Sequence, residues 1–115
     1  MKPTLAEILE AVEAAITVCD VDLTVLYMNE KAAKNFGANG VLDLVGSNLA
    51  DCHKPESVEK IGRIFASGQP NVYTISKKGA KKLIWQAPWK KDAKVAGLVE
   101  ISIPLPDSMP HYDRG

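Results

Sequence analysis

The chain has 115 residues, of which 46% are hydrophobic, and its 14 basic residues balance 14 acidic ones. This length and apolar content predict one folded domain and exclude a disordered chain. The zero formal net charge gives no electrostatic support for binding nucleic acid or a membrane surface. No apolar run approaches the ~20 residues that cross a bilayer. The N-terminus also lacks the pattern of a signal peptide, so we expect a cytoplasmic protein with reduced cysteines.

The first predicted element is an amphipathic helix. Thr4 and Glu7 have the spacing of a capping box, in which each side chain bonds the backbone N–H of the other. An apolar stripe follows at helical spacing: Leu5, Ile8, Leu9 and Val12. These residues alone do not identify the surface against which the stripe packs.

Two short strands and a small helix come next. Residues 15–20 and 24–28 are rich in β-branched and aromatic side chains, which predicts strands. The aspartates of the intervening segment are typical turn formers. Asn29 is a suitable N-cap for a helix over 29–36, and Gly37 suits its end. We expect loops and single helical turns over residues 38–54.

A longer helix is predicted over residues 55–68. Pro55 fits its first turn, because proline needs no helical N–H there, and Gly68 fits its end.

The remaining elements are strands. They are predicted over 72–76, 81–89 and 94–103, with Pro88 favouring a bulge or a sheet edge. Residues 104–115 are expected to form an extended tail. This order of elements predicts an α+β fold with a mostly antiparallel sheet.

Three stretches resemble the PAS domain. ITVCDVDLTVLYMNEKAAKNFG resembles its opening strands and first small helix, VLDLVGSNLADCH its next section, and APWKKDAKVAGLVEISI its closing pair of strands. The resemblance implies a five-stranded antiparallel sheet with short helices on one face over residues 15–103. Helix 1–14 would precede this domain and tail 104–115 would follow it.

The resemblance also implies a function. PAS domains are sensory or interaction modules without catalytic activity that hold a small ligand between sheet and helices, or hold nothing and dimerise. The stripe of Leu5, Ile8, Leu9 and Val12 would then form a homodimer interface; the alternative is that it folds back over the sheet of its own chain. An attached or separate output, such as a histidine kinase, would read the signal. The alternative is a ligand-free module for protein–protein interaction.

Apolar and aromatic side chains from most of the predicted elements are candidates for lining a ligand pocket. They are Val18, Val25, Tyr27, Phe36, Leu49, His53, Ile61, Phe65, Ile75, Leu83, Trp85, Val99 and Ile101. Ligand pockets are mostly apolar with a few placed polar groups, which Tyr27, His53 and Trp85 would supply. Alternatively, these residues simply fill the core of a small domain.

His53 lies in the stretch LADCHKPES, which resembles a Cys-His-Pro stretch of PAS domains found beside hemerythrin-like modules in prokaryotes. A haem-based gas or redox sensor with His53 as axial ligand is therefore a second hypothesis. Cys52 is adjacent, and neighbouring side chains diverge, which argues against a Cys–His nucleophile. The absence of CxxC or HxxxH spacing argues against a zinc site.

Flavin photochemistry is not predicted. Leu49 stands where the light-oxygen-voltage subgroup of PAS domains has its flavin-attacking cysteine. The sequence therefore leaves the cofactor, if any, unknown.

Overall fold

The helices and strands follow the predicted order. A computed structural model describes residues 1–37, 44–51 and 53–115. The turns expected within 38–43, and the expectation about Cys52, lie outside these residues. The helices are α1 (Leu5–Ala11), α2 (Glu30–Asn35) and α3 (Pro55–Ser67), with a short three-ten turn at Leu49–Asp51. The strands are β1 (Ala15–Asp20), β2 (Val25–Met28), β3 (Asn71–Lys77), β4 (Ala80–Lys91) and β5 (Lys94–Leu105).

The five strands form one antiparallel sheet in the order β2-β1-β5-β4-β3. The central pairing joins β1, near the start of the chain, to β5, near its end. This sheet confirms the α+β prediction. Strands β4 and β5 extend beyond their predicted ends, and β5 reaches Leu105.

The main core lies between the sheet and helices α2 and α3. Buried members include Cys19 of β1, Leu98 of β5, Ala32 of α2, and Ile61 and Ile64 of α3. Apolar side chains at helical spacing on α3 therefore fix this helix over the sheet. We call the sheet surface under α2 and α3 the inner face and its other surface the outer face.

Helix α1 is shorter than the expected helix over residues 1–14. The capping box forms as predicted: Thr4 N–H donates to Glu7 Oε1 over 2.7 Å, and Glu7 N–H to Thr4 Oγ1 over 3.1 Å. At Val12 the backbone is extended and ends the helix. None of the helical residues is buried against the rest of the chain.

Strand β4 passes Gly97 of β5 at close range. The indole N–H of Trp89 crosses β5 and donates to the carbonyl oxygen of Cys19 over 2.9 Å. A Cβ at position 97 would fall on this same oxygen, so glycine is required there. Beyond Gln86, β4 has no partner residue on β3, and Pro88 therefore occupies a local sheet edge, as its missing N–H requires.

Among the helices of the described residues, none combines the length and hydropathy that a membrane crossing requires.

Candidate functional site

A cavity of about 650 Å³ lies between α3 and the inner face of the sheet. This volume falls within the range of about 300–1,000 Å³ that is usual for small-molecule sites. The cavity opens toward solvent, with α3 on one side and strands β1, β5, β4 and β3 as its floor. Its lining residues are Thr17, Cys19, Phe36, Leu49, His53, Ser57, Lys60, Ile61, Arg63, Ile64, Ser67, Gln69, Pro70, Asn71, Tyr73, Gln86, Leu98 and Glu100.

The floor is crossed by four polar residues on neighbouring strands. Thr17 of β1 pairs with Glu100 of β5, Glu100 pairs with Gln86 of β4, and Gln86 pairs with Asn71 of β3. Directly opposed residues of an antiparallel sheet point to the same face, so these four side chains form one polar row. Thr17 and Gln86 are buried, and Glu100 and Asn71 are half-buried.

Hydrogen bonds connect three members of the polar row in one direction. Asn71 Nδ2 donates to Gln86 Oε1 over 3.0 Å, and Gln86 Nε2 donates to Glu100 Oε1 over 2.8 Å. Such bonds offset the cost of burying amide groups in a domain core. The chain of donors ends on the carboxylate of Glu100.

The charge of Glu100 affects two neighbouring groups that line the cavity. Burial, with the carboxylates of Asp20 and Glu100 adding to it, raises the pKa of the Cys19 thiol to about 11. Burial and then the charge of Glu100 raise the pKa of Tyr73. Cys19 therefore stays a protonated thiol at neutral pH and is a poor nucleophile. The floor is electronegative around Glu100.

The rim of the cavity differs in charge from its floor. Lys60 and Arg63, both exposed on α3, lie at the rim, and Arg63 Nη1 forms an ion pair of 3.2 Å with Glu59. Half-buried Ser57 of the same helix adds a hydroxyl. A molecule in the cavity would thus contact cations at the entrance and a carboxylate at the floor.

His53 lies at the end of the cavity nearest the start of α3. Its Nδ1 is 2.8 Å from the carbonyl oxygen of Leu49, which fixes the ring relative to the three-ten turn and assigns the proton to Nδ1. The ring of Phe36 lies 6.1 Å away, centroid to centroid. Both aromatic rings line the cavity.

The structure distributes the predicted pocket residues over four places. Phe36, Leu49, His53 and Ile61 line the cavity. Ile75 lines a smaller depression of about 250 Å³ on the same face, whereas Val25 and Phe65 belong to the packed core.

The other six lie on the outer face and do not line the cavity. Cross-strand pairs join them to one another or to other outer-face residues: Val18 with Tyr27 and Val99, Trp85 with Ile101, and Leu83 with Ile103. Along their strands they are adjacent to residues of the inner face, so the expectation that they face the helices is corrected. It followed the rule that the apolar side of a strand faces the core, but here the inner face carries the polar row.

The polar row itself was missed, as were Tyr73, Lys60 and Arg63. A signal for it was present, because Gln86 and Glu100 interrupt otherwise apolar strands. Reading that signal requires the register, which places both residues in one row.

In the part of the chain that the structure describes, no three His, Cys, Asp or Glu side chains converge on a position that would hold a metal ion.

Solved structures of several bacterial and archaeal proteins share this fold. The PAS domain of histidine kinase ThkA is 21% identical, with 80% of this chain and 99% of that chain covered and a TM-score of 0.66. A sensory box sensor histidine kinase from Vibrio cholerae is 15% identical, with coverages of 89% and 90% and a TM-score of 0.64.

The VqmA structures are matched over little more than half of their length. VqmA of Vibrio cholerae in a complex with ligand and DNA is 15% identical and has a TM-score of 0.72; 93% of this chain but 53% of that chain is covered. No family model and no curated protein matches the sequence. The chain combines a five-stranded antiparallel sheet in this strand order with helices over its inner face, and it is similar to these structures. It therefore has the PAS fold.

Proposed function

We propose that this chain is a sensory module that binds a small organic molecule in the cavity and carries out no chemical reaction on it. The observation that supports this function is the polar row on the cavity floor. Polar side chains in the middle of a sheet's inner face weaken a small core, whereas a few placed polar groups in an apolar cavity are typical of ligand sites. Histidine kinase sensory domains among the similar structures favour a signalling role.

We further propose that the signal leaves through β1 and α1. Thr17, at one end of the polar row, is followed back along the chain by Ile16, whose N–H donates to Asn29 Oδ1 over 2.9 Å. Asn29 Nδ2 in turn donates to the carbonyl oxygens of Ala14 and, at 3.4 Å, Leu9 of α1. A ligand that shifts β1 would therefore change the attachment of α1 and bias a partner bound there.

The partner would be a second copy of the chain in a cytoplasmic homodimer, with an output such as a histidine kinase reading the change. Leu5, Ile8 and Val12 of the predicted stripe are 71%, 47% and 45% exposed, and Leu9 is half-buried. The outer face also exposes Val72 and Trp85, which are 44% and 45% accessible. Neighbouring exposed apolar side chains of this size favour an interface.

Filling the cavity tests the ligand-binding proposal. Ser57→Trp places an indole at the rim, and Ala66→Trp, at an exposed position of α3 that does not line the cavity, is the matched control. Ligand-observed NMR with aromatic fragments of positive, zero and negative charge should show binding to the wild type and Ala66→Trp. We expect Ser57→Trp to bind at least about tenfold more weakly.

Two results would contradict the proposal. Either no fragment binds the wild type, or the same fragments bind Ser57→Trp equally well. The first result would favour the alternative of a ligand-free interaction module.

A haem sensor is the second candidate, favoured by one observation. Metal-ligating histidines usually donate their other ring N–H to a carbonyl or carboxylate, as His53 Nδ1 does to Leu49. His53 Nε2 would be the axial ligand, and haem would supply gas or redox chemistry. The polar row fits haem poorly, because the largely apolar macrocycle would lie on Gln86 and Glu100.

The absorption spectrum of protein reconstituted with haemin distinguishes the two candidates. A Soret band that shifts on binding and is lost in His53→Ala would support haem. A spectrum identical in wild type and His53→Ala would exclude His53 as the ligand.

A further inference from the structure

The inference concerns which chemical groups the cavity recognises, and it rests on the proposed ligand-binding function. The polar row is directional: both of its hydrogen bonds, from Asn71 to Gln86 and from Gln86 to Glu100, run toward the same carboxylate. An amide that donates through its nitrogen and accepts through its oxygen is fixed in orientation. Gln86 therefore presents a fixed donor to Glu100.

Glu100 has acceptor capacity beyond this one bond. A carboxylate has about four lone-pair positions, and Gln86 occupies one of them at Oε1. Within residues 1–37, 44–51 and 53–115, neither lysine nor arginine forms an ion pair with Glu100. A half-buried carboxylate of this kind is costly unless further donors reach it.

Two lysines, Lys77 and Lys82, line the adjoining smaller depression together with Glu100, but among the described residues neither forms an ion pair with it. Thr17 on one side contributes a hydroxyl, and Tyr73, also on the inner face, contributes a phenol, which is an uncharged group at neutral pH. The cations of the site, Lys60 and Arg63, stand on α3 at the rim. A ligand that reaches the floor would therefore need a hydrogen-bond donor for Glu100. At the rim, a ligand could carry acceptors toward the two cations.

We propose that the cavity recognises its ligand through a hydrogen-bond donor, an ammonium group or a ring N–H, that docks on Glu100 at the centre of the polar row. The ligand class is a small ring-containing amine or N–H heterocycle. An anion would be repelled by the floor and would be restricted to the rim.

Three probes of similar size test this proposal by protein-observed NMR titration: benzylamine, benzyl alcohol and benzoate. We expect the wild type to bind benzylamine roughly tenfold more tightly than benzyl alcohol, because charge-assisted hydrogen bonds are the stronger ones, and benzoate most weakly. Glu100→Gln should remove the preference for benzylamine. Glu100→Asp, which keeps the charge, should retain part of it.

The matched control is Glu56→Gln. Glu56 lies in the first turn of α3 and does not line the cavity, so this variant has the same change of charge outside the site. It should keep the wild-type order of the three probes. If Glu100→Gln does not fold, the order of the three affinities measured on the wild type tests the preference for a donor by itself.

The outcomes separate this inference from the proposed function. Tighter binding of benzoate than of benzylamine, or an unchanged benzylamine preference in folded Glu100→Gln, overturns recognition by Glu100 but leaves a binding cavity. Failure of all three probes to bind the wild type overturns the ligand-binding function together with the inference.

Discussion

Asn29 connects three elements through one side chain. Its Oδ1 accepts from the N–H groups of Ile16 and Ala32, at 2.9 and 3.0 Å, and its Nδ2 donates to the carbonyl oxygen of Ala14 at 2.8 Å. The residue is 1% exposed. The sequence predicts one of these bonds, the helix cap of α2. The other two depend on the position of β1 beside α2, which no local pattern of residues encodes.

The first prediction is that Asn29→Ala strongly destabilises the protein. Two buried N–H groups and one buried carbonyl would lose their partner, so we expect a loss of about 3 kcal/mol or more in the free energy of unfolding. Denaturation in urea measures this quantity. Asn35→Ala, at an exposed position at the end of α2, is the control and should change it by less than about 0.5 kcal/mol. Equal losses in the two variants would contradict the proposed role of Asn29.

The face of the sheet to which each strand residue points was the feature of single residues least predictable from the sequence. Strand β5 alternates apolar Val99 and Ile101 with polar Glu100 and Ser102, and this alternation was correctly identified. Alternation defines two sets of side chains but not which set faces the helices. Here the outer face is the more apolar one in the middle of the sheet, so the usual assignment gave the opposite result.

One carboxylate stabilises the turn that connects β1 and β2. Asp20 Oδ1 accepts from the N–H groups of Asp22 and Thr24, at 2.9 and 3.0 Å. These bonds hold Leu23 at a positive φ of 69°, which is unusual for a residue other than glycine. The sequence predicted a turn with aspartates, and the structure assigns the two aspartates different roles.

Asp20→Ala should therefore destabilise the hairpin, and Asp22→Ala should not. We expect Asp20→Ala to lower the free energy of unfolding by about 1–2 kcal/mol, because two N–H groups lose an acceptor at a partly solvated turn. The Asp22 side chain makes no hydrogen bond among the residues that the structure describes. Thermal unfolding compares the variants. Similar losses for both aspartates would show that the turn depends on charge rather than on these two bonds.

The existence and order of the elements were predictable, because hydrophobic spacing, caps and turn residues are local signals. The ends of β4 and β5 were not, because mutual pairing extends them past the predicted boundaries: Lys81 pairs with Leu105. Likewise the length of α1 is set where Val12 becomes extended. The apolar stripe includes Val12 itself and therefore gives no signal for the end.

At the scale of the whole molecule, the prediction is a homodimer that depends on α1. Wild-type protein should sediment with twice the chain mass of 12.5 kDa, and Ile8→Glu should shift it toward the monomer, because a charge in an apolar interface is costly. Met109→Glu, at a 59% exposed position of the tail, is the control and should remain dimeric. A monomeric wild type, or a dimer unaffected by Ile8→Glu, would contradict the proposed interface.

The two tryptophans give this molecule built-in optical reporters. Trp85 projects from the outer face and is 45% exposed, whereas Trp89, on the same face, is half-buried and fixed by its bond to the Cys19 carbonyl oxygen. Covering the outer face would move the fluorescence of the exposed Trp85 to shorter wavelength, whereas loss of the indole hydrogen bond would move the emission of Trp89 to longer wavelength. Replacing either indole by phenylalanine separates the two signals, so assembly at the sheet surface and loosening of the sheet interior can be followed independently, without an attached dye.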